Sequence, residues 1–98
     1  MKRTLVVRVN ARFDIRDYAD QYELKSTGLG TRFAQVAANT IDWIPFMPFL
    51  YAKINRYVRL APIRRFPFAV LYRVTKTNIV ILAVVPAKSD PMNWPVKP

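Results

Sequence analysis

The chain reads as α+β, with two helices segregated near the start and strands behind them. Three observations give this class. Apolar residues recur at helical spacing twice in succession, from Ala11 to Tyr22 and from Phe33 to Ile44. A short β-favouring segment, Thr4 to Val9, precedes them. Three further β segments, separated by turn residues, fill the second half. The expected order is strand, helix, helix, strand, strand, strand. The helical hairpin should cover one face of a mostly antiparallel sheet. The other face would be left to Arg and Lys side chains.

Leu5, Val6, Val7 and Val9 favour an extended chain, and Asn10 offers an N-cap for the first helix. Ala11, Ile15, Tyr18, Ala19 and Tyr22 then share one helical face. Asp14, Asp17, Asp20 and Glu23 lie opposite, beside Arg12 and Arg16. Acids early in a helix suit its macrodipole. Lys25-Ser26-Thr27-Gly28 closes this helix and opens the next. Phe33, Val36, Ala37, Ile41 and Ile44 continue at helical spacing until Pro45 stops the pattern. Two amphipathic helices with a short connection form an antiparallel hairpin.

Trp43 to Leu50 is uncharged and contains Pro45 and Pro48. The prolines exclude a regular helix or a central strand. The segment is either a loop folded over the core or a docking surface for an apolar partner segment. Tyr57 to Ala61 reads as a strand, and Ile63 to Pro67 as a turn. Phe68 to Thr75 is the next strand, with Phe68, Val70, Tyr72 and Val74 on one face. Lys76-Thr77-Asn78 makes a tight hairpin turn. Ile79 to Val85 is apolar on both faces, hence central. Residues 86–98 hold four prolines and read as an irregular tail. The whole chain, 1–98, is expected to be one domain.

The formal net charge is +10. Between Asp42 and Asp90 there is no acidic residue, while Lys53, Arg56, Arg59, Arg64, Arg65, Arg73, Lys76 and Lys88 lie in that stretch. Charge not neutralised within a chain points to a partner, either phosphate or an acidic protein. The chain has no Cys and no His. Disulfides, thiolate metal sites and imidazole-based catalysis are therefore excluded. Glu occurs once, at Glu23. No cofactor or metal is expected. Arg8 and Arg12 interrupt any signal-type apolar region, and the longest apolar run, Ile79 to Pro86, is too short for a bilayer. The expectation is a soluble cytoplasmic protein without a membrane partner.

Several strings, in order, resemble the RelE/ParE superfamily of toxins from type II toxin–antitoxin modules. Asn10-Ala11-Arg12-Phe13-Asp14-Ile15 is similar to that family's strand-to-helix junction. Arg32-Phe33 and Trp43-Ile44-Pro45 resemble its second helix and terminating proline, and Val58-Arg59 its arginine-bearing second strand. Phe66-Pro67-Phe68-Ala69-Val70-Leu71-Tyr72-Arg73-Val74 is similar to the Phe-Pro-aromatic and Tyr-Arg-Val string of the ParE-like, plasmid stabilisation branch. Asp90-Pro91 with Trp94 resembles the tail of that branch. There are departures. Ala69 stands where ribosome-dependent nucleases carry an arginine, Pro86 where many members carry His, and Ser89 where the tail arginine precedes Asp-Pro.

The resemblance implies a growth-arresting toxin neutralised by a cognate antitoxin, in a heterotetramer. The branch implies DNA gyrase as target, bound without catalysis. The alternatives are a ribosome-dependent mRNA interferase and a non-toxic nucleic-acid-binding module. For a nuclease, Arg59, Tyr72, Arg73 and Lys88 are the candidate catalytic groups, with Tyr72 as acid. Arg59, Arg64, Arg65, Arg73, Lys76, Lys88 and Trp94 are the candidate target-binding residues. Trp43, Phe46, Phe49, Tyr51, Arg64 and Arg65 are the candidates for holding an antitoxin, in a groove between hairpin and sheet.

Overall fold

The computed structural model describes residues 3–90 and Trp94. The element order is β1 (Thr4–Val7), α1 (Val9–Lys25), α2 (Leu29–Trp43), a 3-10 turn (Ile44–Phe46), β2 (Arg59–Pro62), β3 (Phe68–Val74) and β4 (Asn78–Pro86). The strand order is β1-β4-β3-β2. β1 runs parallel to β4, and the other two pairings are antiparallel. The expected α+β order holds, and β4, apolar on both faces, is internal as its composition requires. No helix among the described residues is long and apolar enough to cross a membrane.

The first strand is shorter than its β-favouring residues suggest. The Arg8 amide still donates to the Ile81 carbonyl, but the Arg8 carbonyl already accepts from Ala11 and Arg12. The helix therefore starts at Val9, and Asn10 lies inside it and does not cap it. The first turn of α1 contains no acid. Gly28, at φ 88°, makes the left-handed step between the helices. Glu23 supplies the missing cap for α2: its carboxylate accepts from the amides of Gly28 and Gly30 at 2.8 and 3.0 Å.

The hairpin packs on one face of the sheet. Ala11, Phe33, Ala37, Ile41 and Ile44 meet Ala61, Val70, Tyr72, Ile79, Ile81 and Val84 there. Phe33 sits among the rings of Tyr18, Tyr22, Phe66 and Phe68. The pairing of β3 with β4 skips Leu82, because Leu71 faces Ala83 and Tyr72 faces Ile81. This bulge puts both Leu82 and Ala83 on the far face and returns Val84 to the helix side. Asp14 satisfies the displaced strand: its carboxylate accepts the Val84 amide at 3.0 Å. It is thus a clasp between α1 and β4, not part of a solvated acidic face.

The far face also corrects an expectation. Val58, Leu71, Leu82, Ala83 and Val85 form a second apolar cluster there, with Leu60, Val80 and Trp94 against it. It is not simply a platform for cations. Tyr57 and Val58 also fall outside β2. The Asn55 side-chain oxygen accepts both their amides at 2.9 and 3.0 Å, which removes the donors a strand would need.

Candidate functional site

One strap, running from Trp43 at the end of α2 through the 3-10 turn to Tyr57, borders two concave sites among the described residues. Pro45 and Pro48 stop α2 from continuing, and the strap is then tied to the sheet by two side chains. The Tyr72 hydroxyl donates to the Pro48 carbonyl at 2.8 Å. The Arg59 guanidinium donates to the carbonyls of Tyr51 and Phe49 at 2.6 and 3.4 Å. Tyr72 is fully buried. Burial pushes its phenol up to about 12, against the lowering effect of the Arg59 charge and with a raising one from Tyr51. Tyr72 and Arg59 therefore hold the strap, and the Tyr72 hydroxyl does not reach a surface where it would protonate a leaving group.

The strap folds only partly over the core: Ile44 is buried in it and Tyr51 packs against it, while the other large apolar side chains face outward. Trp43, Phe46 and Leu50 are 62, 63 and 62% exposed, and Met47 and Phe49 are exposed as well. A run of large apolar side chains this accessible is a candidate interaction surface. On the α2 side a groove of about 610 Å³ is lined by Val36, Trp43, Met47, Tyr51, Pro62 and Phe66, with Arg32, Arg64 and Arg65 among its walls. Arg65 adopts φ 70°, which turns the β2–β3 connection at the groove. Phe46 packs against Trp43 with the rings tilted by 59° and their centroids 5.6 Å apart.

On the other side of the strap lies a cleft of about 390 Å³. Lys53, Arg56, Arg59, Arg73 and Lys76 line it, with Phe49, Tyr57 and Thr75. The Arg3 and Arg59 guanidiniums each sit 5.2 Å from the Phe49 ring centre. Those of Arg56 and Arg73 lie 5.6 and 5.3 Å from the centre of Tyr57. Arg3 also donates to the Thr75 carbonyl at 2.7 Å.

The structure thus divides the residues singled out from sequence. Trp43, Tyr51, Arg64 and Arg65 share the groove. Phe49, expected there, belongs to the cleft with Arg59, Arg73 and Lys76. Arg64 and Arg65 do not join that cleft. Lys88 is apart from both, beyond the Pro86 end of β4. The β3–β4 pairing places the Arg73 end roughly 20 Å away. Trp94 packs on the second apolar cluster. Of the groove residues missed from sequence, Val36, Asn39 and Thr40 lie four, seven and eight positions after Arg32, with Trp43 at eleven. That helical spacing was the available signal. Arg3 gave none, because its role depends on the fold bringing residues 3 and 75 together.

No protein-family model matches the sequence, and no curated protein does. Solved structures do. A chain of the chromosomal ParDE TA system from P. aeruginosa superposes with a TM-score of 0.77 at 20% identity, covering 89% of this chain and 98% of that one. A chain of the RelBE2 toxin–antitoxin complex from Mycobacterium tuberculosis gives 0.60 at 21% identity, covering 86% and 96%. The chain has a RelE/ParE-like fold. Within that fold the three departures have local explanations. Ala69 is fully buried in β3. Pro86 is the last residue of β4. The Ser89 hydroxyl accepts the Trp94 indole N–H and donates to the Pro86 carbonyl, so it anchors the tail ring. Pro91, the other tail residue of the resemblance, lies outside the described residues.

Proposed function

We propose that this protein is the toxin of a type II toxin–antitoxin module and that an antitoxin segment neutralises it by docking in the groove beside α2. The observation that carries the reading is that groove itself. It has an apolar lining with Arg32, Arg64 and Arg65 around it, on a fold shared with chains of two toxin–antitoxin structures. Such a site suits an amphipathic segment with apolar anchors and acidic flanks, ordered only on binding. The complex would assemble as two toxins with two antitoxins.

The arrest is by binding, with DNA gyrase as the target, and not by RNA cleavage. Support comes from the residues a nuclease would use. The chain has no His. Tyr72 is buried with its hydroxyl on Pro48, and Arg59 is bonded to two strap carbonyls. Lys88 sits far from both. A 2′-OH cleavage would need a base, an acid and a free charge donor together.

Inducible expression tests the class, with and without any small acidic open reading frame that neighbours its gene. Growth arrest relieved by the neighbour is expected; unimpaired growth of both strains would refute it. Two assays then separate the targets. Gyrase supercoiling should be inhibited by purified toxin. Primer extension on translated mRNA should show no new 5′ ends, and codon-specific ends would replace this reading with the ribonuclease one.

A further inference from the structure

The cleft on the far side of the strap is a site of different chemistry from the groove, and the antitoxin reading leaves it unexplained. Lys53, Arg56, Arg59, Arg73 and Lys76 line one cleft of about 390 Å³ without an acidic residue among its lining. Like charges gathered in one cleft repel, so an anion that joins them is favoured. The guanidiniums are not loose. Phe49 holds those of Arg3 and Arg59, and Tyr57 holds those of Arg56 and Arg73, through cation–π contacts. Arg59 and Arg3 are further fixed by backbone carbonyls. Ordering cations before the ligand arrives lowers the entropy lost on binding.

We propose that this cleft binds the phosphodiester backbone of a single nucleic-acid strand, without cutting it. Planar guanidinium forks suit phosphate oxygens, and lysines add point charge. An acidic peptide fits less well. A bound peptide draws affinity from apolar anchors, and the pockets for those lie in the groove. The cleft offers mainly charge, which is how a strand's backbone is held. Tyr57 and Phe49 are both exposed, so their edges stand beside the path of the strand. The proposal goes beyond the gyrase reading above, which names a protein target. It is scored by a measurement that does not depend on toxicity.

The test is fluorescence anisotropy with labelled dT and U oligomers of twelve nucleotides, using the full chain. With Arg59 kept to the strap, four neutralised phosphates give a salt slope of about −2.8 for a single strand. Affinity should then fall about fifty-fold between 50 and 200 mM salt. Arg56→Ala with Arg73→Ala should reduce that fall to about seven-fold. Both side chains are exposed, so the fold is retained, as circular dichroism would verify. Arg64→Ala with Arg65→Ala removes the same charge from the groove and should leave the slope unchanged. The oligomers should be recovered intact. Equal losses from the two double variants would show a diffuse charge effect and overturn the site. So would absence of binding at 50 mM salt, or stronger competition by polyglutamate than by unlabelled oligomer. Binding without growth arrest would retain the cleft and remove the toxin reading; arrest without binding would do the reverse.

Discussion

Tyr72→Phe should loosen the strap while leaving the core filled. The Tyr72 ring is fully buried, and phenylalanine occupies the same space. What is lost is the hydroxyl's 2.8 Å bond to the Pro48 carbonyl. A buried bond of this kind contributes about 1 kcal/mol. For a chain of 98 residues that lowers Tm by roughly 4–8 °C. The pH dependence sharpens the test. Burial, opposed by the Arg59 charge, pushes the Tyr72 phenol up to about 12, against a usual value of 10.0. Between those values the folded chain keeps a proton that the unfolded chain has lost. Wild-type stability is thus complete below pH 10 and declines as pH rises through the folded value. The loss reaches about 3 kcal/mol at most, taking about 1.4 kcal/mol for each pH unit. The phenylalanine variant lacks this decline. Less stable at pH 7, it should become the more stable of the two above about pH 11. Urea midpoints followed by circular dichroism from pH 7 to pH 11.5 would show the crossing. Parallel curves, or an unchanged Tm at pH 7, would refute both the burial and the tie to the strap.

Other consequences follow from the hairpin and the core. A Cβ at Gly30 would meet the Ala19 carbonyl oxygen at 2.2 Å, so Gly30→Ala should lose about 2–3 kcal/mol in urea unfolding. Gly28→Ala meets only open space and a φ of +88°, and should lose about 1 kcal/mol; equal losses would place the helix contact wrongly. Asp14→Ala should lose about 1 kcal/mol at pH 7 by leaving the Val84 amide without its acceptor. Burial raises the Asp14 carboxyl, partly offset by that amide and helped by the Asp17 charge. Its contribution is therefore greatest below the ordinary carboxylate range and falls as pH rises through the folded value. Asp14→Asn should be flat over that interval, and a wild type that gained stability there relative to it would contradict the sign. Phe33→Ala should be the most damaging single change, at about 3–5 kcal/mol, because Phe33 is fully buried among four rings.

The fold was legible because its main signals are periodic. Two helical stripes, the αL glycine at Gly28 and a β4 apolar on both sides each follow from local chemistry. Misreadings arose where a distant group decided. Asn10 looks like a cap, but the Arg8 carbonyl closes the turn first. Asp14 looks solvated until the bulge at Leu82 turns the Val84 amide toward it. Arg59 and Tyr72 read in a line of text as candidate catalytic groups, and their bonds to a strap 8 and 24 residues away were not visible there. The cations were visible as one long run. Their partition into a groove and a cleft was not, because it depends on which side of the strap each one falls. At the segment whose role composition left open, Ile44 is buried in the core while Trp43, Phe46 and Leu50 are exposed, so it carries features of both readings.

Isothermal titration of the purified neighbouring acidic protein against this chain tests the central claim most directly, namely that the groove beside α2 is where neutralisation occurs. Wild type should bind tightly. Trp43→Ala combined with Arg64→Glu and Arg65→Glu should bind at least about a hundred-fold more weakly, since an aromatic anchor that the complex would cover and two reversed charges are involved. Arg56→Ala with Arg73→Ala, at the cleft, should change affinity far less. Unaltered binding by the groove variant, with the fold intact, would contradict the account.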